Sequence, residues 1–486
     1  MTGRLVRRVL LPALLAALAA AAPAAAFAPA DPLAPKEWFL VDDHAFDAWA
    51  TPPTGLAPVK VAIVDSGIDS SLPEFAGRIL DARTFVGGSP FVDTEGHGTF
   101  VAGEIAANLD TVGTVGMAYT SQLLIAKVVK RDGTIPLAAE AAGIRWAADQ
   151  GARVINLSLG GLRDPRHPSR DTYSPLEASA VAYAYSKGAL VVAAVGNADD
   201  TLPEPWPFAS YPAALPHVVG VSALTRSGNV PEFSDRDSIF NDLSAPGQGI
   251  FSTLPLALTA ERPTCAPQGF SDCGPGEYQN AEGTSFAAPQ VTAAAAILFA
   301  LSPALTASQA AAILEHSADD VNATTGCGSC KPLRDSLSGW GRLDVARAVE
   351  ALAGPLPTAD RYEPNDDAGA QARTIVGKQR TLAATADYYD DPVDVYRVAL
   401  APHERLAVGL GAAWTGARVK LELWKPGTVR VDVHARTLRA AQSAGEGAQQ
   451  QLAFTAPARG WYYVEVKVAG PGFGPYTLTL AKKPKR

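Results

Sequence analysis

Five short apolar runs recur through the first half of the chain: VKVAIVD (59–65), LLIAKVV (123–129), ARVINLSL (152–159), ALVVAAV (189–195) and HVVGVSA (217–223). They are continuous and rich in β-branched residues, as strands covered on both faces of a parallel sheet should be. Helically spaced stretches lie between them: TFVAGEIAANL, LAAEAAGIRWAADQG and PLEASAVAYAYSKG. Parallel strands need long crossovers, so the alternation predicts an α/β domain, a mostly parallel sheet flanked by helices. The amphipathic GWGRLDVARAVEALAG closes it, and the domain is expected to span 56–354.

At PLPTADRYEPNDD the composition shifts to proline, acids and turn formers. Beyond it the helical pattern vanishes. ARVKLELW puts Val419, Leu421 and Leu423 on one face and Lys420 and Glu422 on the other; YYVEVKV sets Val464, Val466 and Val468 against Glu465 and Lys467. This period of two predicts a linker and a C-terminal antiparallel β-sandwich in 355–486.

The amino terminus reads as a processing segment. Arg4, Arg7 and Arg8 precede the apolar VLLPALLAALAAAA, and AAA at 24–26 fits a small-x-small cleavage site. Residues 1–26 are therefore expected to be a removed signal peptide, with no stable membrane anchor, and the protein to be secreted, extracellular or periplasmic. Residues 27–55 form an N-terminal extension, with KEWFLVDDHAFDAW packed and no room for a separate propeptide. The net charge of −8, without a block of Lys or Arg, excludes nucleic acid and anionic membrane as main partners. A monomer is expected. All four cysteines lie between 265 and 330, and export makes disulfides the expectation, Cys265 with Cys273 and Cys327 with Cys330. CGSC also fits a redox motif or half a metal site, but no second ligand pair stands at zinc-like spacing.

Four residues could carry chemistry. Asp65 ends the strand VKVAIVD, and reactive groups in open α/β sheets gather at carboxyl ends of strands. His97 stands between glycines in TEGHGTFVAG. Asn197 ends ALVVAAVGN, where a side-chain amide can donate into a cleft. Ser285 lies in EGTSFAAP, just before a long apolar helical stretch. Singly, each has a plain structural reading: turn cap, surface histidine, left-handed turn, helix cap. Together they supply a nucleophile, a base, an acid to orient the base, and an oxyanion donor. A helix starting at Ser285 would point its positive end at the developing charge. GTSFA is not G-x-S-x-G, so the elbow of lipases and esterases is not indicated.

These segments resemble those of the subtilisin-like serine proteases, the subtilases. VAIVDSGID resembles the aspartate motif of that family, GHGTFVAG its histidine motif, GTSFAAP its serine motif, INLSLGG its substrate-pairing strand and AAVGN its oxyanion segment. The resemblance covers residues 37–354. It implies a serine endopeptidase acting on protein or peptide substrates through an acyl-enzyme, with Asp65 orienting, His97 as base and acid, Ser285 attacking and Asn197 holding the oxyanion. Ser158, Leu159 and Gly160 would line the specificity pocket and the substrate strand. The alternative is a catalytically silent adhesion protein on the same scaffold. Phe100 stands where many relatives have a second histidine. Glu74 and Asp110 align with calcium ligands of the family, with glutamate for aspartate in the first; the resemblance leaves a structural calcium ion open without a metal site being assigned, and no cofactor is needed for the chemistry. DRYEPNDD and DPVDVYRVAL resemble the bacterial pre-peptidase C-terminal domain, which implies a spacer module, or a matrix-binding one if Trp424, Trp461 and Tyr462 are exposed.

Overall fold

The computed structural model describes residues 27–483 except 50, 52–55, 199–201, 203–204, 262–277, 355, 357–361, 363–364, 366–367, 370–371, 389–390, 429–430, 432–437 and 471. The signal segment 1–26 and the pair Cys265–Cys273 lie outside the described residues.

Seven strands form one sheet: β1 (Lys60–Asp65), β2 (Ile79–Thr84), β3 (Gln122–Lys127), β4 (Val154–Leu157), β5 (Leu190–Ala194), β6 (Val218–Leu224) and β7 (Leu243–Pro246). Their order is β2-β3-β1-β4-β5-β6-β7, and every pairing is parallel. All strands therefore end at one edge. The continuous apolar reading of β1 has its cause here. Val61 and Ile63 enter one core, Ala62 and Val64 the other, and all four are fully buried.

The first core is covered by α2 (His97–Ala106), α6 (Ala288–Leu301), α7 (Ala307–His316) and α8 (Val345–Ala351). The second is covered by α3 (Leu137–Asp149) and α4 (Pro175–Ser186). The stretch Thr284–Leu301 is apolar and long enough to cross a membrane, but it is 89% buried and serves as the central core helix. The extension packs as its apolar pattern indicates. Trp38, Phe39, Leu40 and Phe46 join the first core around the single turn α1 (Phe39–Asp42), and the Val345 N–H donates to the Asp43 carbonyl at 2.9 Å. β8 (Gln248–Thr253) and β9 (Tyr278–Glu282) make an antiparallel pair, with α5 (Leu256–Glu261) between them.

The C-terminal region is a two-sheet sandwich. One sheet has the order β10 (Arg373–Ile375), β12 (Val393–Leu400), β17 (Gly460–Val468), β14 (Val419–Trp424), β15 (Arg439–Gln442). The other runs β11 (Gln379–Asp387), β18 (Phe473–Lys483), β13 (Arg405–Ala412), β16 (Gln449–Thr455). The pairings are antiparallel save the three-residue β10, which adds to β12 in parallel. Val419, Leu421, Leu423, Val464 and Val466 face the core between the sheets, as their alternation predicts. Trp424 and Tyr462 are buried, and of the three expected aromatics Trp461 alone is exposed, with Arg397 over its ring.

Candidate active site

Asp65 is the last residue of β1, and its carboxylate points beyond the sheet edge. The Ser66 N–H donates to Oδ1 at 2.7 Å. Nδ1 of His97 lies 2.9 Å from both carboxylate oxygens. The close approach of α2 to β1 needs glycine at 98, because a Cβ there would stand 2.3 Å from the Gly67 carbonyl oxygen. The Gly98 N–H instead donates to the Ser66 hydroxyl at 2.8 Å. Asp93 caps the start of α2, accepting from the N–H groups of Gly96 and Thr99 and from the Thr99 hydroxyl. Lys127, at the end of β3, donates to the carbonyls of Ser66 and Val92 at 2.6 and 2.7 Å and so ties the two loops together. Burial lowers its pKa against the pull of Asp93, Glu95 and Asp65.

Burial also works against the imidazolium of His97. The charge and hydrogen bond of Asp65, helped by Asp93 and Glu95, outweigh it, so the His97 pKa lies above its ordinary value of 6.5. The histidine ring is 5.4 Å from that of Phe286, which in turn lies 4.6 Å from Phe100. Phe286 is the chain neighbour of Ser285. The α-helix does not start at Ser285: Thr284–Phe286 form a 3-10 turn and α6 begins at Ala288. The turn is entered through Gly283 at φ 144°, a conformation that side chains resist, and Pro289 sits in the first turn of the helix.

Asn197 follows β5. Its Oδ1 accepts from the N–H and hydroxyl of Thr284 at 2.9 and 3.1 Å, which fixes the amide with Nδ2 turned toward Gly283. The preceding Gly196 has φ 107°, and a Cβ there would meet the Ser210 hydroxyl and the Asp235 carboxylate within 2.4 Å. Ser158, Leu159 and Gly160 come directly after β4. The Ser158 hydroxyl is spent internally: it donates to the Ser285 carbonyl at 2.7 Å, while the Ser285 hydroxyl donates to the Ser158 carbonyl at 3.2 Å. Leu159 is half-buried and Gly160 exposed. Gly161 pairs with Tyr211 as an antiparallel bridge.

Sequence reasoning overlooked Asn156, Thr292, Asp93 and Lys127. Each is a polar residue inside an apolar run or turn, and only its buried position singles it out. Glu74 and Asp110 differ in burial. Glu74 is buried and receives the Tyr278 hydroxyl; Asp110 is exposed and accepts from Val112 in its own turn at 3.0 Å. The loop turns N–H groups, those of Asp110 and Thr111, toward the Asp31 carboxylate. Among the described residues His44, Asp319 and Asp344 do converge, but Arg342 and Arg347 already pair with those carboxylates. Cys327 and Cys330 form the expected disulfide.

The family profile described as the Subtilase family matches residues 57–341. Thermitase of Thermoactinomyces vulgaris is 36% identical over 273 residues, 54% of this chain and 82% of that protein. Subtilisin DY of Bacillus licheniformis is 34% identical over 254 residues, 52% of this chain and 81% of that one. A solved protease structure from Pseudoalteromonas arctica superposes with a TM-score of 0.53 at 25% identity, covering 66% of this chain and 99% of that one. With a parallel sheet that gathers Asp65, His97, Asn197 and Ser285 at one edge, the chain belongs to the subtilase family and is a subtilisin-like serine endopeptidase of protein or peptide substrates.

Proposed function

We propose that Ser285 attacks the peptide carbonyl, His97 takes its proton and passes it to the leaving amine, and Asp65 holds the imidazole tautomer and steadies its charged form. The observation that carries this reading is the buried contact of His97 Nδ1 with both oxygens of Asp65, which leaves Nε2 as the nitrogen to meet a serine proton. The Asn197 amide, oriented by Thr284, and the Ser285 N–H are the donors for the oxyanion. The resting Ser285 hydroxyl sits on the Ser158 carbonyl, so it turns from there to His97 when the acyl-enzyme forms. Leu159 and Gly160 face the substrate strand, with Ser158 supporting them from behind. No cofactor enters the chemistry.

Export is supported by the amino-terminal pattern of three arginines, an apolar run and AAA, and by likeness to relatives such as the cell wall-associated protease of Bacillus subtilis. The sandwich serves as a spacer of the pre-peptidase C-terminal kind, a reading supported by the burial of Trp424 and Tyr462. The test is Ser285→Ala in the full secreted chain with casein as substrate. Hydrolysis is expected to drop by roughly 10⁶, the magnitude known for subtilisin itself. Retained hydrolysis would leave the silent-scaffold reading for this site and place the activity elsewhere.

A further inference from the structure

Three buried side chains form a directed chain of hydrogen bonds that ends on Ser285. The Thr292 hydroxyl, on α6, donates to Asn156 Oδ1 at 2.9 Å. Asn156 Nδ2, on β4, donates to the Ser158 hydroxyl at 2.9 Å. The Ser158 hydroxyl donates to the Ser285 carbonyl at 2.7 Å. Thr292 and Asn156 are fully buried and Ser158 nearly so. We infer that Thr292 is a positioning residue for Ser285, acting through Asn156 and Ser158.

Direction is the reason. A hydroxyl has one proton, and an amide has a donor end and an acceptor end. By offering Ser158 an N–H, Asn156 leaves the Ser158 proton to the Ser285 carbonyl; a turned amide would present its oxygen and compete for that proton. Asn156 offers that N–H only while its oxygen faces Thr292, and this requires Thr292 to donate. If Thr292 could not donate, the amide could turn over, the Ser158 hydroxyl would then donate to Asn156, and the Ser285 carbonyl would lose its partner. The 3-10 turn carrying Ser285 would be free to move against the strand end that holds Ser158. In a dry interior such a relay is stiffer than its separate bonds, because each bond sets the polarity of the next.

This inference rests on Ser285 being the nucleophile, and the experiment separates the two. Thr292→Val keeps the shape and removes the donor; Thr292→Ser keeps the donor. Ser158→Ala cuts the relay at its last link. Each full-length variant is normalised by active-site titration and assayed on a small peptide amide. Each is also assayed for its rate of inactivation by phenylmethylsulfonyl fluoride, which reacts with the serine without occupying the substrate strand. Thr292→Val is expected to lower kcat about tenfold with KM changed less than threefold, a loss the size of one buried hydrogen bond. Sulfonylation should slow by a similar factor, and Thr292→Ser should stay within twofold of wild type. Ser158→Ala should show the same loss, and the double variant Thr292→Val with Ser158→Ala should be no slower than Ser158→Ala alone. Wild-type sulfonylation rates in Thr292→Val or Ser158→Ala would overturn the inference. So would multiplicative losses in the double variant, or a Thr292→Ser enzyme as slow as Thr292→Val. If Thr292→Val does not fold, Thr292→Ala, which also lacks the donor, takes its place against Thr292→Ser. Failure of the reagent to modify Ser285 in the wild type would instead sink the nucleophile assignment.

Discussion

The edge of the parallel sheet and the middle of the sandwich both bury polar networks, and they differ in where those networks end. In the sandwich, the Tyr476 hydroxyl donates to Asp394 at 2.7 Å and meets the Tyr396 hydroxyl at 2.7 Å, while the Asn365 amide also reaches Asp394. Asp394, Tyr396 and Tyr476 are sealed from solvent. At the sheet edge, Asp65 is as well buried, yet its network runs out to the partly exposed His97, and the proposed nucleophile Ser285 is half-buried. A closed network can only specify and stiffen a fold. One with an open end can pass a proton to something that arrives from outside. Both are hydrogen-bonded networks built on a buried aspartate, but the sandwich holds phenols that keep their protons, while the sheet edge holds an imidazole that titrates nearer neutrality.

The sharpest way to break that contrast is to disturb the closed end of the open network. Asp65→Asn should leave the fold intact and reduce kcat by about 10⁴, in line with the subtilisin precedent. The wild-type activity should fall on acidification with a midpoint above 6.5, because Asp65 stabilises the protonated imidazole against the burial that opposes it. Without that charge the midpoint in Asp65→Asn should move down. A pH profile of residual activity with an unmoved acid limb would show that Asp65 does not set the proton affinity of His97. Asn197→Leu removes only an oxyanion donor and should cost about 10²–10³ in kcat with little change in KM. A change confined to KM would mean that the amide binds substrate in its ground state.

Much of the open network was legible in the sequence because chemistry is tied to punctuation. Asp65 and Asn197 stand where apolar runs stop, and His97 and Ser285 stand among glycines and small residues. The strands β1, β3, β4, β5 and β6 read as apolar runs because both of their faces are covered. β2 did not, since Ile79–Thr84 is an edge strand with exposed positions, and β7, LSAP, carries a serine and a proline and so lacks an apolar run. The relay through Asn156 and Thr292 was invisible for a different reason. Asn156 sits inside VINL and Thr292 inside an alanine-rich helix, and nothing local tells a buried polar residue with a partner from a tolerated one. Likewise Glu74 and Asp110 both align with ligand positions of the family pattern, but the fold turns one inward and the other to solvent.

In the sandwich the expected outcome is the reverse of that at the sheet edge. Tyr476→Phe deletes the shared hydroxyl and leaves Asp394 and Tyr396 each short of a partner. It should destabilise the sandwich by about 1–3 kcal/mol, seen as an earlier unfolding transition in denaturant, while kcat on a peptide substrate stays at the wild-type value. A drop in kcat would show that the two networks communicate.

The smallest effect should come from a closed network inside the catalytic half. Glu140 on α3 and Glu177 on α4 are both buried, and their carboxyl groups interact. Burial, with the added repulsion of Glu177, pushes the pKa of Glu140 up to about 9. The protonated pair is the one the fold prefers, so its contribution to stability is full at pH values below the ordinary carboxylate range and is lost as pH rises through about 9. Glu140→Gln keeps the hydrogen-bonding shape and removes the titration. Its Tm should match that of the wild type near pH 5 and exceed it by a few degrees at pH 9.5, on the scale of 2–4 °C per kcal/mol for a domain of this size. Thermal unfolding of both proteins across that range is the measurement. Curves that stay parallel would mean that the carboxyl pair is already hydrated and open, and sealing would then fail to explain why this acid pair, unlike Asp65 and His97, takes no part in the reaction.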